Sequence, residues 1–168
     1  MMSFNYLSGE AITNFDEGRP LFLRTPTSKL TLASFMRVHL MSALATLKIG
    51  MRTLVREGVG FDTLIGHGGY FKTEGVGSRI LSAALGCKIV TMETAGEGGP
   101  YGMAILASYV LNKSEYGSLP DYLEKAVFRN TKTTLTEACA EEREAFDRFI
   151  AKYESALAVE SAAIKALK

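Results

Sequence analysis

The chain has 168 residues, 47% hydrophobic and 22% charged, with a formal net charge of +1. That is enough for one domain with a core of its own. The interspersed, near-neutral charge gives no electrostatic case for nucleic acid or an anionic membrane. No apolar run reads as long enough to span a bilayer, and Met1–Asn5 lacks the basic-then-apolar order of a signal peptide, so a cytoplasmic location is expected.

Residues 1–30 read as irregular, with one short strand at Pro20–Leu23 and turn signals at Asp16-Glu17-Gly18 and Arg24-Thr25-Pro26. So long an unperiodic opening suggests a chain that starts partway through a larger fold. Residues 31–57 carry a strong helical signal. Leu32, Phe35, Met36, Leu40, Ala43, Leu47, Met51 and Leu54 recur at three and four, with Thr31 as N-cap and Gly58 as stop. This stripe is expected to be core. His39 lies on its edge, with no second ligand type three or four residues away, and reads as a packing histidine.

The stretch from residue 64 to residue 107 organises the chain. Leu64-Ile65 runs into Gly66-His67-Gly68-Gly69, a small-residue helical pattern follows from Val76 to Leu85, and a second apolar run is Ile89–Met92. Glu97-Gly98-Gly99-Pro100-Tyr101-Gly102 then feeds a third helical run, Met103 to Leu111. The order is strand, glycine turn, helix, strand, glycine turn, helix. If the strands are parallel, both turns share the sheet edge where ligands bind and backbone N–H groups can face a phosphate.

Ser118 caps a short helix, Leu119 to Lys125, and Ala126-Val127-Phe128 reads as a short strand or linker. Thr134-Leu135-Thr136-Glu137 has capping-box form and predicts a long helix running to about Ala163. Phe146, Phe149, Ile150, Tyr153, Ala156 and Leu157 are its apolar face. Cys87 and Cys139 are far apart, lack metal spacing and read as reduced thiols; no metal ligand set is predicted.

Gly66-x-Gly68 is not the dinucleotide fingerprint, because the sixth position is Phe71, and no Walker A sequence is present. The functional reading of the first turn is that a ligand lies against the backbone of Gly68 and Gly69. Thr73 starts the following helix and offers a hydroxyl, and Lys72 adds charge or is simply exposed. In the second turn Pro100 takes the first helical position, Gly98 and Gly102 leave room, and Glu97 sits at the positive helix end. The two turns suggest one cleft with two walls. No Ser-His-Asp or Cys-His constellation is present, and no catalytic carboxylate stands out.

In this order and spacing the pieces resemble the C-terminal, nucleotide-binding lobe of the FGGY carbohydrate kinases, such as xylulokinase, ribulokinase and glycerol kinase, of the actin-like ATPase superfamily. The corresponding pieces are Thr31–Leu54, Leu64–Gly69, Arg79–Gly86, Lys88–Met92 and Glu97–Ala104, and the tail Tyr122–Tyr153 is similar to the family's closing segment. Tyr70-Phe71 replaces the smaller residues usual after the glycines.

The resemblance implies an incomplete, ribonuclease-H-like α/β fold, with residues 1–168 as the C-terminal part of the ATP-binding domain. It implies ATP and Mg²⁺ as cofactors, the metal held mainly by the nucleotide and an N-terminal lobe. That lobe would also carry the sugar site and the catalytic Asp. By position, Gly68 and Gly69 would lie against the phosphates and ribose and Thr73 near the adenosine, with Glu97, Gly98 and Gly102 on the second wall. The implied partners are a nucleotide and a small sugar, with self-association into a homodimer a further expectation. A non-catalytic module of the same fold is the rival reading, and Tyr70 and Phe71 are its support.

Overall fold

The structure is a computed structural model and describes residues 1–167. The architecture is α/β and divides into two compact units. The first comprises residues 1–61, 80–86 and those from Ala138 onward; the second comprises residues 62–79 and 87–137.

In the first unit, β1 (Met2–Phe4) pairs antiparallel with β2 (Leu21–Leu23), with Ser3 opposite Phe22. The strand expected at Pro20–Leu23 is therefore present, but the opening thirty residues are not simply irregular. Three residues of β1 are too few to announce a strand; pairing and burial hold them. Phe4 is fully buried, its ring centroid 4.8 Å from that of Tyr153.

The helix expected over residues 31–57 is two helices, α1 (Leu32–Ala43) and α2 (Ala45–Arg56). Thr31 caps α1 reciprocally with Ser34: Ser34 N–H donates to Thr31 Oγ1 at 3.1 Å, and Thr31 N–H donates to Ser34 Oγ at 3.0 Å. Leu44 falls between the helices at φ −102°, ψ −2°, and its side chain is buried. The break changes which face is core. Val38, Ser42 and Ala45 are buried, whereas Leu32, Met36, Leu47 and Leu54 of the expected stripe are exposed.

Leu32–Arg56 taken together are 25 residues with the length and apolar composition of a bilayer span, which corrects the reading that no such run exists. A core helix passes the same test when mostly buried; the apolar window within this stretch is only 22% buried, and α2 is tied to another helix of its unit through charged pairs. Its Arg52 makes a two-pronged pair with Glu154 at 2.6 and 3.1 Å, and its Lys48 meets Asp147 at 3.4 Å. His39 packs as expected, its ring edge-on to Phe35 with centroids 4.6 Å apart and its Nδ1 3.3 Å from Asn5 Oδ1.

The helix expected from Thr134 begins later. Residues Thr133–Thr136 form strand β5, and α6 runs Ala140–Ser155, with α7 (Leu157–Ala166) following a break at Ala156. The capping box is Cys139 with Glu142, whose Oε2 accepts from Cys139 N–H at 3.0 Å. The aromatic face of α6 is the core of this unit: Phe146, Ile150 and Tyr153 are buried, and Tyr153 donates to the Tyr6 hydroxyl at 2.9 Å. Each such side chain stabilises by roughly 1.5–3 kcal/mol on leaving water.

The second unit holds a three-stranded sheet in the order β3 (Thr63–Gly66), β4 (Lys88–Met92), β5. β3 and β4 are parallel, with Leu64 opposite Ile89 and Gly66 opposite Thr91; β4 and β5 are antiparallel. Helix α3 (Val76–Leu85), whose residues 80–85 belong to the first unit, connects β3 to β4 in the chain. Helix α4 (Gly98–Tyr116) is longer than the expected Met103–Leu111 at both ends. Ser118 caps α5 (Leu119–Tyr122), accepting from Asp121 N–H at 3.2 Å. Leu123–Val127 continues as a π-helical turn, so Ala126-Val127-Phe128 is not a strand.

Candidate functional site

Because β3 and β4 are parallel, both glycine turns leave the same edge of the sheet, within one unit. Gly68 has φ +103°, in the region that favours glycine, and its N–H donates to the carbonyl of Ala95 in the second turn at 2.6 Å. Residues Gly69–Phe71 then make one 3₁₀ turn, and Ala95–Glu97 make another directly before α4. The two turns are thus bonded to each other through backbone, not merely adjacent.

The glycines divide by what a side chain would meet. A Cβ on Gly66 would come 2.5 Å from the ring of Phe71, and one on Gly98 would come 2.9 Å from His67 Cβ. These two positions lack a side chain so that protein can approach protein. By contrast, a Cβ on Gly68, Gly69, Gly99 or Gly102 would meet nothing within 4 Å. Of the six residues expected at a site, Gly68, Gly69 and Gly102 therefore border open space, whereas Gly98 is a packing glycine.

Two expectations need correction. Thr73 does not start the helix: α3 begins at Val76, whose N–H donates to the Thr73 carbonyl at 3.3 Å, and Thr73 lies in the exposed bend before it. Gly75, at φ +72°, turns the chain there and delays the helix. Pro100 is the third residue of α4, not the first, because Gly98 and Gly99 already take helical geometry. Glu97 occupies the N-cap position without capping through its side chain; its carboxylate reaches Lys72 Nζ in the first turn at 3.2 Å. Nothing in the sequence marks that pair, since the two residues belong to different turns.

Tyr70 and Phe71, the bulky departures, pack inward. Phe71 lies where Gly66 lacks a side chain, and the backbone and ring of Tyr70 lie against Gly77. Burial pushes the Tyr70 phenol well above its ordinary range. Thr94, at the head of the second turn, has a buried hydroxyl oxygen with no hydrogen-bond partner among the described residues. A separate open groove of about 560 Å³ lies in the first unit, lined by Met51, Val55, Arg56 and Phe61 with Lys48 and Arg52. It contains none of the six residues, and Lys48 and Arg52 are already paired with carboxylates.

No curated protein matches the chain. Residues 1–111 match the C-terminal domain of the FGGY family of carbohydrate kinases, a span that takes in β1 to β4, both glycine turns and most of α4. The chain, carrying this domain over most of its length, belongs to the FGGY family of carbohydrate kinases.

Proposed function

We propose that this chain supplies the nucleotide wall of an ATP-dependent sugar or polyol kinase, in a ribonuclease-H-like lobe, with Gly68 and Gly69 against the phosphates. One observation carries the reading. At the carboxyl edge of two parallel strands, Gly68, Gly69, Gly99 and Gly102 leave open space while the turns that hold them are bonded together. With the Gly68 N–H taken by the Ala95 carbonyl, what this pre-organised backbone offers an anionic ligand is close approach at Gly68 and Gly69 without reorganisation.

The open space off Gly68 and Gly69 leaves room for a ligand to lie against their backbone, which supports ATP here. When bound, ATP supplies the phosphoryl group. The chain's own part is to hold it in line: backbone at Gly68 and Gly69, the charge of Lys72, and on the second wall Gly102. Mg²⁺ finds little here. No three carboxylates, histidines or cysteines gather among the described residues, and Glu97 is the one carboxylate in the pair of turns that reaches across them. The metal is assigned to the nucleotide and the N-terminal lobe, and so are the sugar site and the carboxylate base.

Tyr70 and Phe71 give the rival non-catalytic module little support, because their rings lie against Gly77 and Gly66. The test is Gly69→Asp, which sets a bulky negative charge where phosphate would lie. ATP affinity, measured by titration calorimetry, should fall by at least tenfold with an unchanged circular dichroism spectrum. An unaltered dissociation constant would sink the assignment.

A further inference from the structure

We infer that Lys72 selects the polyphosphate of the nucleotide and that Glu97 holds it in place until the nucleotide arrives, an inference that rests on the nucleotide reading above. Lys72 is the only lysine or arginine in residues 66–75 and 93–102, which contain both turns. Its Nζ reaches Glu97 Oε1 at 3.2 Å. The side chain is not loose in solvent along its whole length. Its Cγ lies 3.2 Å from where a Cβ on Gly96 would be, so that glycine keeps a track for the lysine stem. The stem and the ammonium both lie along the second turn, at Gly96 and Glu97, whose flanking residues Ala95 and Gly98 lie against Gly68 of the first turn.

The pair is well suited to exchange. Both side chains are more than half exposed, at 60% and 68%, and an ion pair so exposed contributes little. A triphosphate carries several negative charges against the single charge of Glu97, and a lysine ammonium is a compact charge with three donors that can follow them. While paired, Lys72 neutralises a carboxylate that would otherwise repel phosphate. After exchange, Glu97 sits at the positive end of α4, where a carboxylate is stabilised without a partner. No covalent step is involved.

The experiment titrates the full chain, unmodified and as Lys72→Met and Glu97→Gln, with MgATP, MgADP and adenosine. Lys72→Met should weaken ATP at least tenfold, ADP less, and leave adenosine unchanged. Glu97→Gln should tighten ATP several-fold by freeing the lysine, and Lys72→Arg should keep most of the ATP affinity. ATP bound by Lys72→Met as by the unmodified chain would overturn this inference alone. An equal loss for ATP and adenosine would also overturn it, since that is the mark of a damaged turn. Failure of the unmodified chain to bind any of the three would overturn the nucleotide reading itself.

Discussion

The aromatic core of the first unit and the glycine edge of the second solve opposite problems. Around Tyr153 the chain fills space: Phe4, Phe146 and Ile150 are buried, and Tyr6 closes over the tyrosine hydroxyl. Around Gly68 it empties space, and does so selectively. Gly66 and Gly98 are bare so that Phe71 and His67 can approach, while Gly68, Gly69, Gly99 and Gly102 are bare toward nothing within 4 Å. A core loses stability when atoms are removed; an open edge loses binding when atoms are added. The difference sets the two regions apart, one filled and one open as the proposed reading requires, and it can be broken by substitution in each.

The largest effect belongs to the core. Phe146→Ala removes a ring that is 1% exposed and should destabilise by about 3–5 kcal/mol in chemical denaturation. A midpoint shifted by less than a third of that would mean that the first unit collapses around the gap, or that its aromatic core is not what holds it.

The next effect separates the two kinds of glycine within the edge itself. Gly66→Ala drives a methyl group into the Phe71 ring and should cost about 1–3 kcal/mol as overpacking. Gly69→Asp, which points into open space, should instead leave stability nearly untouched and act on nucleotide affinity. Equal stability losses for the two would erase the distinction between packing glycines and open ones.

How much of this was legible beforehand varies with what holds each element. Helix α3 was readable as a pattern of small and apolar residues from Val76 to Leu85, but not its start as placed at Thr73, because Gly75 turns the chain before the helix begins. The parallel strands and their turns were readable as order and spacing. Thr134-Leu135-Thr136-Glu137 satisfied a local rule, the capping box, yet became a strand. Leu135 pairs with Val90, and that long-range ladder outweighs a cap worth about 1 kcal/mol. The break at Leu44 has no glycine or proline to announce it, and β1 exists only through its partner some twenty residues on. At the edge, glycine identity was visible but its purpose was not. Gly98 and Gly102 read alike in sequence; only three-dimensional neighbours show that one meets His67 and the other open space. Side-chain pairs between loops, such as Lys72 with Glu97, leave no local trace.

The smallest effect returns to the filled unit and depends on pH. Glu160 of α7 is fully buried; one oxygen accepts from Arg19 N–H at 2.6 Å, and Oε2 has no hydrogen-bond partner among the described residues. The Arg19 guanidinium is engaged with Leu167 O, Gly18 O and Glu17, and Tyr6, Tyr153 and Glu10 are the other ionisable groups around the site. Burial raises the Glu160 carboxyl above its ordinary value of 4.5, and the bond from Arg19 N–H and the Arg19 charge lower it only in part. The folded chain therefore keeps a proton that the unfolded chain releases. It follows that the stability tied to this proton is fully present below the ordinary value and is lost as pH rises through the folded one. Glu160→Gln stays neutral throughout and keeps an oxygen for Arg19 N–H. Denaturation midpoints of both proteins, measured from about pH 4 to pH 8, should differ little at the acid end, with the variant gaining steadily toward the alkaline end. Two curves that run parallel across the range would show that the carboxyl carries no such proton, and that α7 is held by packing alone.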